Sequence, residues 1–164
     1  LSHTVWRIAT DTPTHTADDL SGAGAKATGG RWNEPGIPVV YASETQALAC
    51  LETLVHLNAG GLPLNRYLVA ITIPASLWAT AHTETVASLP VGWDAEPAGL
   101  ISIRFGTKWL NAAHQAVLRV PSAIVPDECN VLVNPRHPES QRIKATKLRR
   151  FLYDPRSVKR NSSP

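Results

Sequence analysis

The spacing of hydrophobic and polar positions divides the chain into short strand-like runs, one clear amphipathic helix and long polar connections. His3-Thr-Val-Trp-Arg-Ile-Ala9 is rich in β-branched and aromatic residues and predicts a first strand. Ile37-Pro-Val-Val-Tyr-Ala42 predicts a buried strand. Arg66-Tyr-Leu-Val-Ala-Ile-Thr-Ile73 is the clearest strand, ended by Pro74. Ala116–Val120, Cys129–Asn134 and Leu148–Tyr153 predict three more. Ala47, Leu48, Leu51, Leu54 and Val55 recur at helical spacing and form one stripe. Ser43-Glu-Thr-Gln46 has the form of a capping box. The helix is therefore expected to be capped by Ser43 and to run to about Asn58, with Gly60-Gly61 ending it. A second, short helix is expected from Thr107 to about His114, with Trp109 and Leu110 inward. Residues 75–99 have little periodicity, and Leu89-Pro-Val-Gly-Trp93 reads as a packed loop. The pattern predicts a single α+β domain over residues 1–164, with mixed or antiparallel sheets and a few helices.

Composition narrows the class. With 43% hydrophobic and 18% charged residues, the 164-residue chain reads as globular and is long enough for a substantial core. No window resembles a membrane span, and no basic segment followed by an apolar run opens the chain, so the expected location is the cytoplasm. Cys50 and Cys129 have no metal-like spacing and are expected to be reduced and mostly buried. The six histidines (3, 15, 56, 82, 114, 137) are dispersed, so no metal is expected. Charge is uneven: residues 1–135 carry seven Lys+Arg against eleven Asp+Glu, and residues 136–164 carry nine against two. A basic end suits a nucleic-acid partner, or is simply a solvated terminal segment.

Candidate chemistry begins at Gly29-Gly30-Arg31-Trp32-Asn33. This small-residue loop, with Ser21-Gly-Ala-Gly-Ala25 before it, could cradle phosphate through backbone N–H groups, but it matches neither the Walker nor the Rossmann pattern. Trp32 reads equally as core or ligand contact. Arg7 lies inside the first strand, where an arginine ordinarily faces solvent; the functional alternative is an anion ligand. Helical spacing alone puts Glu52 on the flank of the apolar stripe, a surface position, with His56 one turn further along the helix. His137 reads as a loop residue with a structural hydrogen bond. Arg31, Tyr41, Glu52 and Ser122 remain, and together they suit cleavage of the nicotinamide–ribose bond of NAD. Nicotinamide leaves as a neutral molecule, so no general acid is needed and one carboxylate can suffice. That carboxylate would stabilise positive charge growing on the ribose. Arginine's rigid fork of donors suits a pyrophosphate. Tyrosine can stack and hydrogen-bond, and serine can orient the ribose or amide. By chemistry alone the set is permissive.

The same segments give a specific resemblance. Trp6-Arg7, Leu20-Ser-Gly-Ala-Gly24, Gly29-Gly-Arg-Trp-Asn33, Pro38-Val-Val-Tyr-Ala42, Leu51-Glu-Thr-Leu-Val-His56, Gly92-Trp-Asp94, Leu118-Arg-Val-Pro-Ser-Ala123, Asn134-Pro-Arg-His-Pro138 and Asp154-Pro-Arg156 stand in the order of the RES-domain family, named for its arginine, glutamate and serine. The match spans nearly the whole chain. Arg31, Glu52 and Ser122 fall on those three residues, Tyr41 on a pocket tyrosine and Arg7 on a second arginine. The resemblance moves Glu52 from surface to site. It implies a fold similar to ADP-ribosyltransferases such as diphtheria toxin. It implies a bacterial toxin that consumes NAD by hydrolysis or phosphorolysis, with no cofactor beyond NAD as substrate. It also implies neutralisation by an Xre-type helix-turn-helix antitoxin that covers the active site, with DNA reached only through that antitoxin; a homodimer stays open. Two other readings remain: an ADP-ribosyltransferase that modifies a protein with the same residues, and a nucleic-acid-binding module led by residues 136–164. Residues 75–115 match least well.

Overall fold

The computed structural model describes residues 1–57 and 61–158. In chain order the elements are β1 (Ser2–Thr10), α1 (Ala23–Thr28), β2 (Val40–Ser43), α2 (Gln46–Leu54), β3 (Arg66–Pro74), α3 (Ala75–Ala79), β4 (His82–Thr83), α4 (Leu100–Ala112), β5 (Val117–Pro121), β6 (Cys129–Val133) and β7 (Lys144–Phe151), with two short 3₁₀ turns. Among the described residues the strands form one sheet in the order β4-β5-β6-β2-β1-β3-β7. Only β4 and β5 run parallel; the other neighbours are antiparallel. The fold is α+β, as the pattern predicts.

Strand β1 carries apolar residues on both sides because both sides are covered. Val5 and Ala9 face one core, shared with Val69, Ile71 and Ile73 of β3 and with Val40, Val117, Val131 and Val133. Trp6 and Ile8 face the opposite side, with Ala49 and Leu54 of α2, Leu68 and Tyr153. A third core lies over β2, β5 and β6 and joins Val39, Leu118, Val120 and Leu132 to Trp32, Trp93 and Leu110. Full burial of such side chains stabilises by about 1.5–3 kcal/mol each. β1 meets β2 only at Trp6↔Ser43, so the sheet has a narrow seam there. Helix α2 follows β2 at this seam.

Several boundaries differ from expectation. Ser43 does not cap α2. It remains in extended backbone, paired with both Trp6 and Asn130, and its hydroxyl is engaged by Asn130. Thr45 is the cap, accepting from Leu48 N–H at 3.0 Å. The helix ends at Leu54, before the expected Asn58; Asn58 and Gly60 lie outside the described residues. Its buried side is rotated too: Leu48 and Ala49 are buried, whereas Ala47 and Val55 are exposed. Part of the Ser21–Ala25 loop is the start of α1, entered through Gly22 at φ 73°. β7 begins at Lys144 rather than Leu148.

The largest miss is α4, thirteen residues long where a short helix was expected. Ile101, Ile103 and Gly106 lower its intrinsic helix propensity. Packing supplies the reason for the glycine. A Cβ on Gly106 would sit 2.0 Å from the carbonyl oxygen of Trp32. The helix therefore lies directly on the backbone of the Arg31–Trp32 segment, and Thr107 Oγ accepts from Glu34 N–H at 3.0 Å. Leu110 is buried as expected, and Trp109 is half-buried.

Candidate active site

Strand register builds the first part of the site. Ser43 pairs with Asn130, and Asn130 with Val120, so Ser43 and Asn130 share one face. Ser122 follows the end of β5, where Pro121 pairs with Cys129. Glu52 reaches these side chains from α2. Leu48 and Ala49, one turn or less before it, are both buried, so Glu52 lies on the covered side of the helix and is itself half-buried. The surface position suggested by spacing is thus overturned by the rotation of α2.

Ser122 Oγ donates to Glu52 Oε1 at 2.7 Å. The same Oγ accepts from Ile124 N–H at 3.0 Å and Val125 N–H at 3.2 Å, which leaves its hydrogen for the carboxylate. Asn130 Nδ2 also donates to Glu52 Oε1, and Asn130 Oδ1 accepts from Ser43 Oγ at 2.7 Å. Both donors converge on one carboxylate oxygen. Among the described residues no hydrogen bond engages Glu52 Oε2, and the atom is not fully buried. Sequence reasoning missed Asn130 and Ser43. Their period-two placement on adjacent strands was legible, but not the register that aligns them.

Tyr41 is two residues before Ser43 on the same face of β2. Its hydroxyl accepts from Trp32 N–H at 3.0 Å and donates to Asn33 Oδ1 at 2.6 Å. Burial pushes the Tyr41 hydroxyl well above the ordinary phenol range, against the opposing pull of Trp32 N–H and Arg31. Tyr41 is therefore a neutral hydrogen-bonding group whose O–H is committed to the loop; its ring is what it can still offer a ligand. Asn33 completes the knot: fully buried, it donates from Nδ2 to the carbonyls of Ala25, Glu34 and Ile37. Trp32 is core, 3% exposed and stacked on Trp93.

Arg31 projects from this knot. Its Nη1 donates to the carbonyls of Trp93 at 3.1 Å and Ala95 at 2.9 Å, and Nη2 pairs with Glu96 at 3.1 Å. The side chain is 19% exposed and that of Glu96 78%. The guanidinium is thus a cation at a loop edge, held by partners a stronger anion could displace.

Arg7 does not join this group. Its register neighbour Trp6 shares a face with Ser43, so Arg7 lies on the other face, with Val5 and Ala9. The solvent-facing expectation fails because β1 is a central strand. The half-buried guanidinium donates to the carbonyl of Asp19 at 3.0 Å, and burial lowers its pKa despite Asp19. A recess of about 390 Å³ lined by Leu20, Val133, His137 and Ile143 contains none of Arg31, Tyr41, Glu52 or Ser122.

Other expectations resolve simply. His137 Nδ1 accepts from Glu139 N–H at the start of a 3₁₀ turn, the structural role predicted. His56 is exposed beyond the end of α2. Cys50 and Cys129 are free and half-buried, and burial raises both thiols. Much of the basic end is edge strand, with Lys147 paired to Asp11 and Arg142 to Glu139.

The RES-domain model matches residues 4–154. The chain belongs to the RES-domain family of toxins. It is 61% identical over 155 residues to a Prs ADP-ribosylating toxin of Sphingobium sp. (strain YBL2), covering 94% of this chain and 96% of the relative. It is 37% identical to a Toxin Res of Pseudomonas putida, covering 85% of this chain and 90% of the relative. It is 38% identical to a Toxin Res of Photorhabdus laumondii subsp. laumondii, covering 85% and 88%. The RES match includes the Gly29–Asn33 segment, α2 and Ser122. No helix among the described residues is long and apolar enough to cross a membrane.

Proposed function

We propose that this RES-family toxin cleaves the nicotinamide–ribose bond of NAD and passes the ADP-ribosyl group to an acceptor. The observation that carries the reading is Glu52, a carboxylate with one oxygen bound by Ser122 and Asn130 and the other without a hydrogen-bond partner among the described residues. The bond between ribose C1′ and the pyridinium nitrogen breaks, and its electron pair leaves with neutral nicotinamide. Positive charge grows on C1′ and the ring oxygen, where a fixed carboxylate stabilises it. The acceptor's lone pair forms the new bond to C1′, and its proton goes to solvent or to Glu52. Arg31 exchanges its loop carbonyls and Glu96 for the pyrophosphate, and the Tyr41 ring supports the bound dinucleotide.

The acceptor is a protein. The relative sharing 61% identity is named as an ADP-ribosylating toxin, which favours transfer over simple NAD consumption. Water or phosphate as acceptor, with depletion of NAD, is the second reading and uses the same residues. The test is incubation of purified chain with NAD, with and without phosphate, and with and without Prs, the target named for that relative. Nicotinamide release that needs the protein, with ADP-ribose mass added to it, supports transfer. Release without any protein supports depletion. No release under any condition removes the proposal. The setting we infer is cytoplasmic, with an antitoxin of Xre type closing over Arg31 and Glu52 and with DNA contacted through that partner. A homodimer is compatible with this arrangement.

A further inference from the structure

We propose that Asn130, locked by Ser43, is a positioning residue that aims Glu52 at the substrate; this rests on the NAD reading above. A carboxylate only accepts hydrogen bonds, so the amide nitrogen of Asn130 must face Glu52 and its oxygen must face Ser43. The contacts agree: Nδ2 lies 2.5 Å from Glu52 Oε1, and Oδ1 accepts from Ser43 Oγ at 2.7 Å. Ser43 is 3% exposed and opposite Asn130 in register, so neither can drift independently. Glutamate has three side-chain torsions, and Ser122 alone would leave its carboxylate free to swing about one hydrogen bond. A second donor from another strand, on the same oxygen, removes that freedom. It also leaves Oε2 without a hydrogen-bond partner among the described residues. Asn130 touches no reacting atom in this scheme; it acts through Glu52.

The test is steady-state nicotinamide release by the full chain with its acceptor, for N130A, N130D and S43A. A misaimed catalytic group can cost about 100-fold. N130D, which replaces the donor by a like charge, is expected to lose about 100-fold in kcat, and N130A about tenfold because Ser122 still holds Glu52. S43A, which frees the amide to rotate but keeps Asn130, is expected to lose about threefold. KM for NAD should stay within about twofold of wild type, since ground-state binding is not what Asn130 supplies. The order separates aiming from packing: Asp matches Asn in shape, so a packing role makes N130D milder than N130A. The double variant E52Q/N130D adds a readout besides activity. Its introduced glutamine removes the like-charge repulsion with the introduced aspartate, so the melting temperature should recover relative to N130D while turnover stays lost. Near-normal kcat in N130D, a milder N130D than N130A, or a raised KM at unchanged kcat overturns the positioning role alone. Wild-type chain that neither releases nicotinamide nor labels an acceptor overturns the NAD reading and this role with it. If N130D and N130A fail to fold, S43A decides: unchanged kcat there overturns the proposal.

Discussion

Ser122 and Asn130 both spend a donor on Glu52 Oε1, and a glutamine oxygen at position 52 could accept the same two bonds. Glu52→Gln should therefore fold normally and bind NAD, seen as a rise in melting temperature with added dinucleotide. Its turnover should fall by about 100-fold or more, because the proposed reaction needs a charge opposite the ribose. Near-normal nicotinamide release would remove the carboxylate from the mechanism. Tyr41 makes a different prediction, because its hydroxyl is committed inside the protein. Tyr41→Phe strands Trp32 N–H and one Asn33 bond, a loss of about 1–3 kcal/mol in denaturant unfolding. Were Tyr41 chiefly a donor to ligand, activity would drop with stability unchanged.

Two elements hold Arg31 from opposite sides. The 93–96 segment engages its guanidinium, and α4 presses on its backbone through Gly106. Glu96→Ala removes a competitor for Arg31. An exposed ion pair is worth under about 1 kcal/mol, so KM for NAD should fall by no more than about fivefold. Arg31→Ala should lose NAD binding, read by calorimetry, and activity with it. Wild-type nicotinamide release in that variant would place the pyrophosphate elsewhere. Gly106→Ala drives a methyl into Trp32's carbonyl. It should cost about 1–3 kcal/mol or more by denaturant titration and impair NAD binding, since the loop carrying Arg31 must shift. An unchanged melting temperature would mean that α4 is not seated on this loop.

Across the whole molecule, the connection after β1 is tied to edge strand β7 by Asp11 and Lys147. The Lys147 hydrogen bond, and then that from Ala17 N–H, hold the Asp11 carboxyl below its ordinary value. A folded pKa below the unfolded one gives stability that is present above the ordinary carboxylate range and is lost as pH falls through the folded value. Melting temperature should therefore drop on acidification below about pH 4, and Asp11→Asn should flatten that drop while lowering stability at neutral pH. An identical acid profile in the variant would assign the effect to other carboxylates.

The run of β-branched residues in β3, the short apolar runs of β5 and β6 and the apolar stripe of α2 are local, so sequence alone determined the α+β class and most strands. The Arg31, Tyr41, Glu52 and Ser122 set is proposed from the family resemblance, which rests on residue type and order; the structure joins Glu52 to Ser122 within it. The tertiary structure alone decided the rest. Which side of α2 is covered depends on where the sheet seam lies, and that turned Glu52 inward. Whether Ser43 caps a helix or holds Asn130 depends on strand register, a long-range property with no local signature. The length of α4 depends on its packing against Trp32, which outweighs the weak helix propensity of Gly106 and its neighbours. Arg7 was separated from the other candidates for the same reason: neighbouring positions in a strand face opposite sides, and only the paired sheet says what each side meets.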